Sequence, residues 1–252
     1  MGAARRAVIA RESVDAVVFD MDGVVTQTAK VHAAAWKELF DAYLKERAQR
    51  DGEPFREFDL RADYLPYVDG KPRYDGVRDF LASRGIVLPR GEPSDPPNAD
   101  TVRGLGDRKN AYFLEAVARF GVQPYETTVA LIGELQRAGI RTAIISASVN
   151  TTMILEAAGV RDLFEAQVDG SVAEQLGLPG KPDPAVFVEA ARRLGAAPPR
   201  SVVVEDAVAG VQAGRAGDFA LVIGVDRGGN REALSRFADV VVDDLGEVEV
   251  GS

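Results

Sequence analysis

The second half of the chain alternates short apolar runs with segments of helical spacing. Continuous apolar runs are typical of strands that are buried on both faces of a parallel sheet. Segments with helical spacing of apolar residues lie between them, at residues 127–137, 150–158 and 184–194. The apolar runs occupy residues 141–145, 201–204, 219–223 and 239–242, and one further run lies near the N-terminus at 16–19. This alternation predicts an α/β fold with a doubly wound parallel sheet and helices on both faces.

The stretch that follows the first predicted strand has a different pattern. Residues 28–50 have the spacing of a long amphipathic helix, and residues 108–120 predict another helix. A loop rich in proline and glycine lies between them, at 89–97. No alternation of strands and helices is visible here. We therefore predict a helical domain at 33–122 that is inserted into an α/β core formed by residues 1–32 and 123–252.

Composition limits the classes of function. The chain has 252 residues with 46% hydrophobic content, which is enough for one large or two modest domains. It has no cysteine, which excludes disulfides, a thiol nucleophile and a cysteine metal site. The net charge of −9 argues against nucleic acid or an anionic membrane as partner. With no long apolar run and no recognisable signal peptide, we expect a cytoplasmic monomer without a membrane partner.

Two acids directly follow the first predicted strand. Asp20 and Asp22 lie where open α/β sheets place their ligands, at the carboxyl end of the strand. Gly23 allows the chain to turn away without a side chain in the pocket. By itself, this pattern is equally typical of a solvated acidic turn.

Three further polar positions are predicted at the same edge of the sheet. Ser146 follows one strand, Glu205 and Asp206 follow another, and Lys181 precedes a helix. Taken singly, Ser146 could be a helix N-cap, Lys181 a solvated loop residue, and the two acids a polar strand terminus. Together they offer acidic oxygens for Mg²⁺, with a hydroxyl and an ammonium for phosphate. Their coincidence favours a phosphate site with a divalent cation.

Four segments resemble the motifs of the haloacid dehalogenase superfamily of phosphotransferases. They are FDMDGV at 19–24, the SAS segment before Asn150, GKPDP at 180–184, and VVEDAVAG at 203–210. The resemblance implies that Asp20 is the nucleophile that forms an aspartyl-phosphate and that Asp22 is the general acid and base. It also implies that Ser146 and Lys181 hold the phosphoryl oxygens. The fold implied is the α/β core of that superfamily with a helical cap that determines substrate specificity.

The same resemblance implies a Mg²⁺ site. Its ligands would be Asp20, the backbone carbonyl of Asp22, Glu205 and Asp206. The dehalogenases of the superfamily lack the second acid, so the presence of Asp22 favours phosphoryl transfer over carbon–halogen hydrolysis. A non-catalytic binding module would be expected to lack Asp20, Asp22 or Lys181.

Segments of the inserted region resemble β-phosphoglucomutases. They are TAKVHAAAWK at 28–37, DGKPR at 69–73 and LGDRKN at 105–110. The implied substrate-binding residues are Thr28 at the hinge, His32 and Lys109 near the sugar, Arg73 and Asn150 on the phosphate that is not transferred, and Trp36, Gly70 and Ala147. Trp36 lies on the apolar face of the predicted helix, where a core residue is more common than a ligand. His32 could be structural, but its sequence context favours a functional role. Arg108 and Lys109 begin the predicted 108–120 helix, where the helix dipole disfavours cations, and this mildly supports a functional role for them.

The chain also departs from those mutases. Val149 lies where they generally have a basic residue, and Lys71-Pro72 replaces the usual small residues of their cap loop. The 89–97 loop resembles an insertion. The sequence therefore predicts a Mg²⁺-dependent β-phosphoglucomutase, and the alternative is a sugar-phosphate phosphatase of the same fold.

Overall fold

The computed structural model describes residues 7–251, which contain eight strands and ten α-helices. The strands are β1 (Ala7–Ala10), β2 (Ala16–Asp20), β3 (Arg141–Ile145), β4 (Ala166–Val168), β5 (Ser201–Glu205), β6 (Leu221–Val225), β7 (Val240–Val242) and β8 (Val248–Gly251). The helices are α1 (Ala29–Asp51), α2 (Tyr64–Tyr67), α3 (Arg73–Ser83), α4 (Val102–Phe120), α5 (Glu126–Arg137), α6 (Thr151–Ala157), α7 (Gly170–Leu176), α8 (Ala185–Arg193), α9 (Val208–Ala216) and α10 (Arg231–Leu234).

Six strands form one parallel sheet, which confirms the predicted α/β fold. Their order is β4-β3-β2-β5-β6-β7, so β2 lies in the interior with β3 and β5 as neighbours. In register, Asp20 lies beside Ile145, and Phe19 lies beside Val204. The carboxyl ends of β2, β3 and β5 therefore meet at one edge of the sheet.

Helices α8 and α9 cover one face of this sheet. Alternate residues of the strands, such as Ala16 and Val18 of β2, share a buried cluster with Phe187 of α8 and Val211 of α9. In β2 every residue is buried, which is the expected result for an interior strand whose two faces are both covered.

The sequence patterns missed three strands. β4 has only three residues and includes Gln167, so it lacks a continuous apolar run. β1 and β8 pair with each other in a separate two-stranded parallel sheet. Their alternation of buried and exposed residues is too short to be distinguished from a loop.

Residues Thr28–Gly121 form a compact unit of their own, and the rest of the described chain forms the other. This inserted unit has a hydrophobic core in which Phe40, Phe58 and Phe80 contact one another at ring-centroid distances of 4.3–4.9 Å. The predicted apolar face of the first helix belongs to this core, since Trp36, Leu39, Phe40, Tyr43 and Leu44 are all buried. Whether the unit is a specificity cap stays a prediction.

The predicted start of the last helix of this unit was wrong. Helix α4 begins at Val102 rather than at residue 108, and Thr101 caps it by accepting a hydrogen bond from the Gly104 amide at 3.0 Å. Two glycines in its first turns hide this start, because glycine usually marks a loop. Gly106 is needed for packing, since a Cβ there would lie 2.7 Å from the Tyr74 ring.

The α/β unit itself pairs the two chain segments that flank the insertion. Thr26 forms an antiparallel bridge with Pro124, and the Gln27 amide donates to the Gln123 carbonyl at 2.9 Å. The Tyr125 amide donates to the Val25 carbonyl at 2.9 Å. The chain thus leaves and re-enters this unit at adjacent positions.

Candidate active site

The first acidic segment forms a tight turn after β2. The Asp22 amide donates to Asp20 Oδ2 at 2.9 Å, and the Gly23 amide donates to the Thr26 carbonyl at 2.8 Å. Gly23 has a φ of +85°, which glycine adopts without strain. A Cβ at this position would also overlap the Asp206 carboxylate. The turn therefore requires glycine both for its backbone and for the approach of Asp206.

Lys181 lies between two buried carboxylates. Its Nζ donates to Asp20 Oδ1 at 2.6 Å and to Glu205 Oε1 at 2.5 Å. All three side chains are at most 7% exposed. Neither a solvated lysine nor a merely polar strand end describes these positions. The structure thus brings the ends of β2 and β5 and the loop before α8 to one point.

The carboxylate of Glu205 is held from both sides. Its Oε2 accepts hydrogen bonds from the Asp206 amide at 2.5 Å and from the Ala207 amide at 2.8 Å, while Oε1 accepts from Lys181. Gly210, in the first turn of α9, makes room for it, because a Cβ there would overlap the Glu205 carboxylate. The glycine is therefore part of what orients this acid.

Burial and charge act against each other on the central pair. Burial raises the pKa of Asp20 well above its ordinary value; the Lys181 ammonium opposes this shift, and the neighbouring acids Glu205 and Asp22 add to it. Burial lowers the pKa of Lys181, but Asp20 and Glu205 outweigh it and raise that pKa above its ordinary value. Lys181 is thus cationic at neutral pH, and further positive charge beside Asp20 would favour its ionised form.

Three acids could hold a metal ion at this edge. Asp20, Glu205 and Asp206 each offer a carboxylate oxygen, and these oxygens lie within 4.8 Å of one another. An all-oxygen set of carboxylates fits Mg²⁺, which prefers such ligands and keeps several waters. Asp22, the fourth predicted ligand through its backbone carbonyl, lies in the same turn as Asp20.

Ser146 contacts the second acid of the turn. Its Oγ donates to Asp22 Oδ2 at 3.2 Å and accepts a hydrogen bond from the Ser148 amide at 3.1 Å. It does not cap a helix, because α6 begins only at Thr151 and Asn150 occupies the N-cap position. Ala147 follows in the same loop, and its carbonyl lies against the N-terminus of α7, where a Cβ on Gly170 would be 2.7 Å away.

In the inserted unit, three predicted substrate-binding residues form an aromatic and basic cluster with Phe113. Lys109 Nζ lies 2.5 Å from His32 Nδ1 and 5.1 Å from the Trp36 ring centroid. The His32 ring stacks on Phe113 with centroids 3.9 Å apart. Lys109 and Trp36 are both buried, and Thr28 is buried at the N-cap of α1. The dipole argument for Lys109 was wrong, because this residue lies in the interior of α4 rather than at its start.

Arg73 is at the start of α3, and Gly70 precedes it in a turn with a φ of +70°. The Arg73 Nη1 donates to Asp107 Oδ1 of α4 at 3.2 Å.

Arg108 Nε donates to the carbonyl of Pro97, so the 89–97 loop packs on α4. Val149, the departure noted from the sequence, is exposed beside Asn150.

Comparison with known proteins decides the family. The family model of the haloacid dehalogenase-like hydrolases matches residues 14–218 of this chain. This chain belongs to that family. It is 46% identical over 241 residues to a β-phosphoglucomutase of Mycobacterium bovis, covering 94% of this chain and 92% of the relative. The haloacid dehalogenase-like chain described here is thus an enzyme with phosphotransfer activity.

Two further likenesses bear on this haloacid dehalogenase-like enzyme. An uncharacterized glycosyl hydrolase of Mycobacterium tuberculosis is 45% identical over 239 residues, which cover 94% of this chain but 18% of that protein. A crystal structure of β-phosphoglucomutase from Clostridium difficile matches with a TM-score of 0.68 and 23% identity, over 93% of this chain and 92% of the other. The second likeness confirms the fold. None of the helices in the described part of the chain has the length and apolar character needed to cross a bilayer.

Three residues with defined contacts were assigned no role from the sequence. Gly210 lies under Glu205, and Asp107 pairs with Arg73. Arg227 donates from Nε to the Gly23 carbonyl at 3.0 Å, and its guanidinium lies 3.8 Å from the Tyr125 ring centroid. Only a glycine in the first turn of a helix, where alanine would be favoured, is a signal that the sequence could have offered.

Proposed function

We propose that this enzyme is a Mg²⁺-dependent β-phosphoglucomutase. It would interconvert β-D-glucose 1-phosphate and glucose 6-phosphate through β-glucose 1,6-bisphosphate. The observation that carries the proposal is the different surroundings of two neighbouring acids. Asp20 is buried beside the Lys181 ammonium, whereas Asp22 is half-buried and hydrogen-bonded to the Ser146 hydroxyl. The identity with a β-phosphoglucomutase over nearly the whole chain supports the choice of substrate.

Asp20 is the nucleophile in this proposal. One of its carboxylate oxygens attacks phosphorus, the bond from phosphorus to the sugar oxygen breaks, and an aspartyl-phosphate forms. Lys181 and the Ser146 hydroxyl donate hydrogen bonds to the phosphoryl oxygens. Such fixed donors act where charge develops, which is the main requirement of phosphoryl transfer.

Asp20, the backbone carbonyl of Asp22, Glu205 and Asp206 would hold Mg²⁺. When bound, the ion supplies positive charge that offsets the repulsion between a carboxylate and a phosphate. Glu205 has a second task in this arrangement, since it also orients Lys181.

Asp22 carries the proton. As an acid it protonates the sugar oxygen that leaves phosphorus. As a base it removes the proton from the other sugar hydroxyl while that oxygen attacks the aspartyl-phosphate. Because the proton given in one half-reaction is regained in the other, the mutase cycle needs no net proton transfer to solvent.

Residues of the inserted unit would bind the rest of the sugar phosphate. We propose the sugar for His32 and Lys109 and the phosphate that is not transferred for Arg73, whose planar fork can donate two hydrogen bonds to it. Asn150 of the α/β unit would contact the same phosphate. Lesser contacts would come from Thr28, Trp36, Gly70 and Ala147.

One experiment separates the mutase from the phosphatase alternative. The protein receives β-glucose 1-phosphate, Mg²⁺ and a trace of β-glucose 1,6-bisphosphate, and glucose 6-phosphate and free phosphate are followed together. The mutase predicts glucose 6-phosphate with little free phosphate. Release of one phosphate per sugar without glucose 6-phosphate would establish the phosphatase instead.

A matched pair of variants tests the covalent step. Asp20→Asn should abolish turnover, because an amide oxygen is a poor nucleophile. Asp162→Asn removes an exposed acid from the same unit and should leave turnover unchanged. Turnover retained by Asp20→Asn would refute the aspartyl-phosphate.

A further inference from the structure

The arginine proposed for the second phosphate is held by a carboxylate. Arg73 is the first residue of α3, and its Nη1 lies 3.2 Å from Oδ1 of Asp107, in the second turn of α4. The Arg73 side chain is 17% exposed and that of Asp107 is 31% exposed, so the pair is reachable from solvent. One guanidinium nitrogen is thereby tied to α4.

Asp107 is itself fixed by a second donor. The Tyr74 hydroxyl donates to the same Oδ1 at 2.8 Å. The Tyr74 ring packs against Gly106, where a Cβ would lie only 2.7 Å away, and the Arg103 guanidinium lies 5.0 Å from the ring centroid. The acceptor oxygen therefore has a defined position relative to both helices.

The loop before Arg73 is also tied down. Lys71 Nζ donates to Asp79 Oδ2 of α3 at 2.9 Å. The two cations that flank Pro72 are thus paired with carboxylates of different helices. This explains how Lys71 is accommodated where the resembling mutases have small residues.

We propose that Asp107 is a positioning residue that sets the orientation of the Arg73 guanidinium and thereby the affinity for the phosphate that is not transferred. The inference rests on the proposed function, because it takes Arg73 as the ligand of that phosphate. Holding one nitrogen fixes the plane of the rigid guanidinium fork and lowers the entropy that phosphate binding would otherwise lose.

The carboxylate also has an opposite effect. Its negative charge repels a phosphate at Arg73 and so weakens the binding that its geometry favours. A mutase gains from a moderate affinity here, because the bisphosphate must leave this position and return reversed. The hydrogen bond and the charge of Asp107 can be separated by two substitutions.

Asp107→Ala removes both the hydrogen bond and the charge, whereas Asp107→Asn keeps an acceptor oxygen and removes the charge. We expect Asp107→Ala to raise the KM for β-glucose 1-phosphate about tenfold, the range of one charge-assisted hydrogen bond, with a smaller change in kcat. Asp107→Asn should restore KM to the original value or below it. Asp75→Ala removes an acid of α3, the helix of Arg73, that pairs with Arg78. It is the matched control and should change neither constant.

Two readouts distinguish positioning from a loss of structure. Hydrolysis of acetyl phosphate, which has a single phosphoryl group, should be unchanged in both Asp107 variants. In a double-mutant cycle, Asp107→Ala should have little effect once Arg73→Ala is present. An equal loss with acetyl phosphate, or full additivity in the cycle, would overturn the proposal.

The outcomes also separate this inference from the proposed function. If Arg73→Ala leaves the KM for β-glucose 1-phosphate unchanged, the assignment of Arg73 to the second phosphate fails. If Arg73→Ala raises KM strongly while Asp107→Ala does not, that assignment stands and the positioning role of Asp107 is refuted.

Discussion

Replacing Gly210 by alanine should destabilise the protein, although alanine normally stabilises a helix. In the interior of a helix this exchange is worth about 1 kcal/mol in favour of alanine. Gly210 is the third residue of α9, and a Cβ there would overlap Oε1, Cδ and Cγ of Glu205. The carboxylate would have to move, and its hydrogen bond to Lys181 would be lost.

The size of the stability loss expected for Gly210→Ala follows from these contacts. Inserting a carbon into a packed interior costs about 1–3 kcal/mol, and removing one partner of a buried ion pair costs up to about 3–5 kcal/mol. Lys181 retains Asp20, so the second figure is an upper bound. After the helical gain of alanine is subtracted, we expect a net loss of about 1–3 kcal/mol, or roughly 2–12 °C in Tm for a protein of this size. Because Lys181 loses Glu205, one of the two carboxylates that orient it, kcat/KM should also fall at least about tenfold, which corresponds to about 1.4 kcal/mol.

The assay is thermal unfolding together with mutase kinetics, and Gly133→Ala is the control. Gly133 lies inside α5, and a Cβ there would meet no atom of the described residues within 4 Å. This control should gain about 1 kcal/mol of stability, as expected for an unconstrained helical glycine. A Gly210→Ala protein as stable and active as the Gly133→Ala protein would refute the role assigned to Gly210.

Further predictions concern the metal, a helix cap and pH. Gly23→Ala should raise the Mg²⁺ concentration for half-maximal activity about tenfold or more, because the new methyl group displaces Asp206. The control is Gly159→Ala, since Gly159 has a similar φ of +69° and open space around it. An equal effect of both substitutions would contradict the role of Gly23 in placing Asp206. Thr101→Ala should cost about 1 kcal/mol in urea unfolding through loss of the cap of α4, and Thr101→Ser should recover most of it; a neutral alanine variant would disprove the cap. Hydrogen bonds from Arg192 and Arg193, the last two residues of α8, lower the pKa of Glu189 to about 2 from 4.5. The contribution of Glu189 to stability is therefore present above pH 4.5 and is lost as pH falls toward 2. Glu189→Gln should therefore flatten the fall in urea midpoint over that interval, and an unchanged slope would argue against the pairing.

The interior strands of the sheet could be predicted because each contains a short run of consecutive apolar residues. Every residue of β2 and β5 is buried, which leaves a continuous apolar run in the sequence. β4 could not be found in this way because it lies at the edge of the sheet and contains Gln167. The start of α4 was hidden since Gly106 is there for its contact with Tyr74, a tertiary reason that no local pattern contains.

The convergence of the candidate site could also be predicted, but its internal contacts could not. Parallel strands end at the same edge, so the neighbourhood of Asp20 and Glu205 follows from strand order alone. That Lys181 lies between these two acids depends on the path of the loop before α8. That Gly210 accommodates Glu205 depends on the rotamer of a buried side chain. Both are results of packing rather than of sequence periodicity.

The pairing of residues 25–27 with 123–125 has a consequence for how this chain can be altered. The α/β unit brings these segments together with its own backbone hydrogen bonds, so closing the connection does not depend on what lies between them. The entropy of closing a loop grows only slowly with its length, and paired ends reduce it further. A turn of a few residues could therefore replace Thr28–Gly121, and other inserted domains could be exchanged at the same point, while every strand pairing of the sheet is retained.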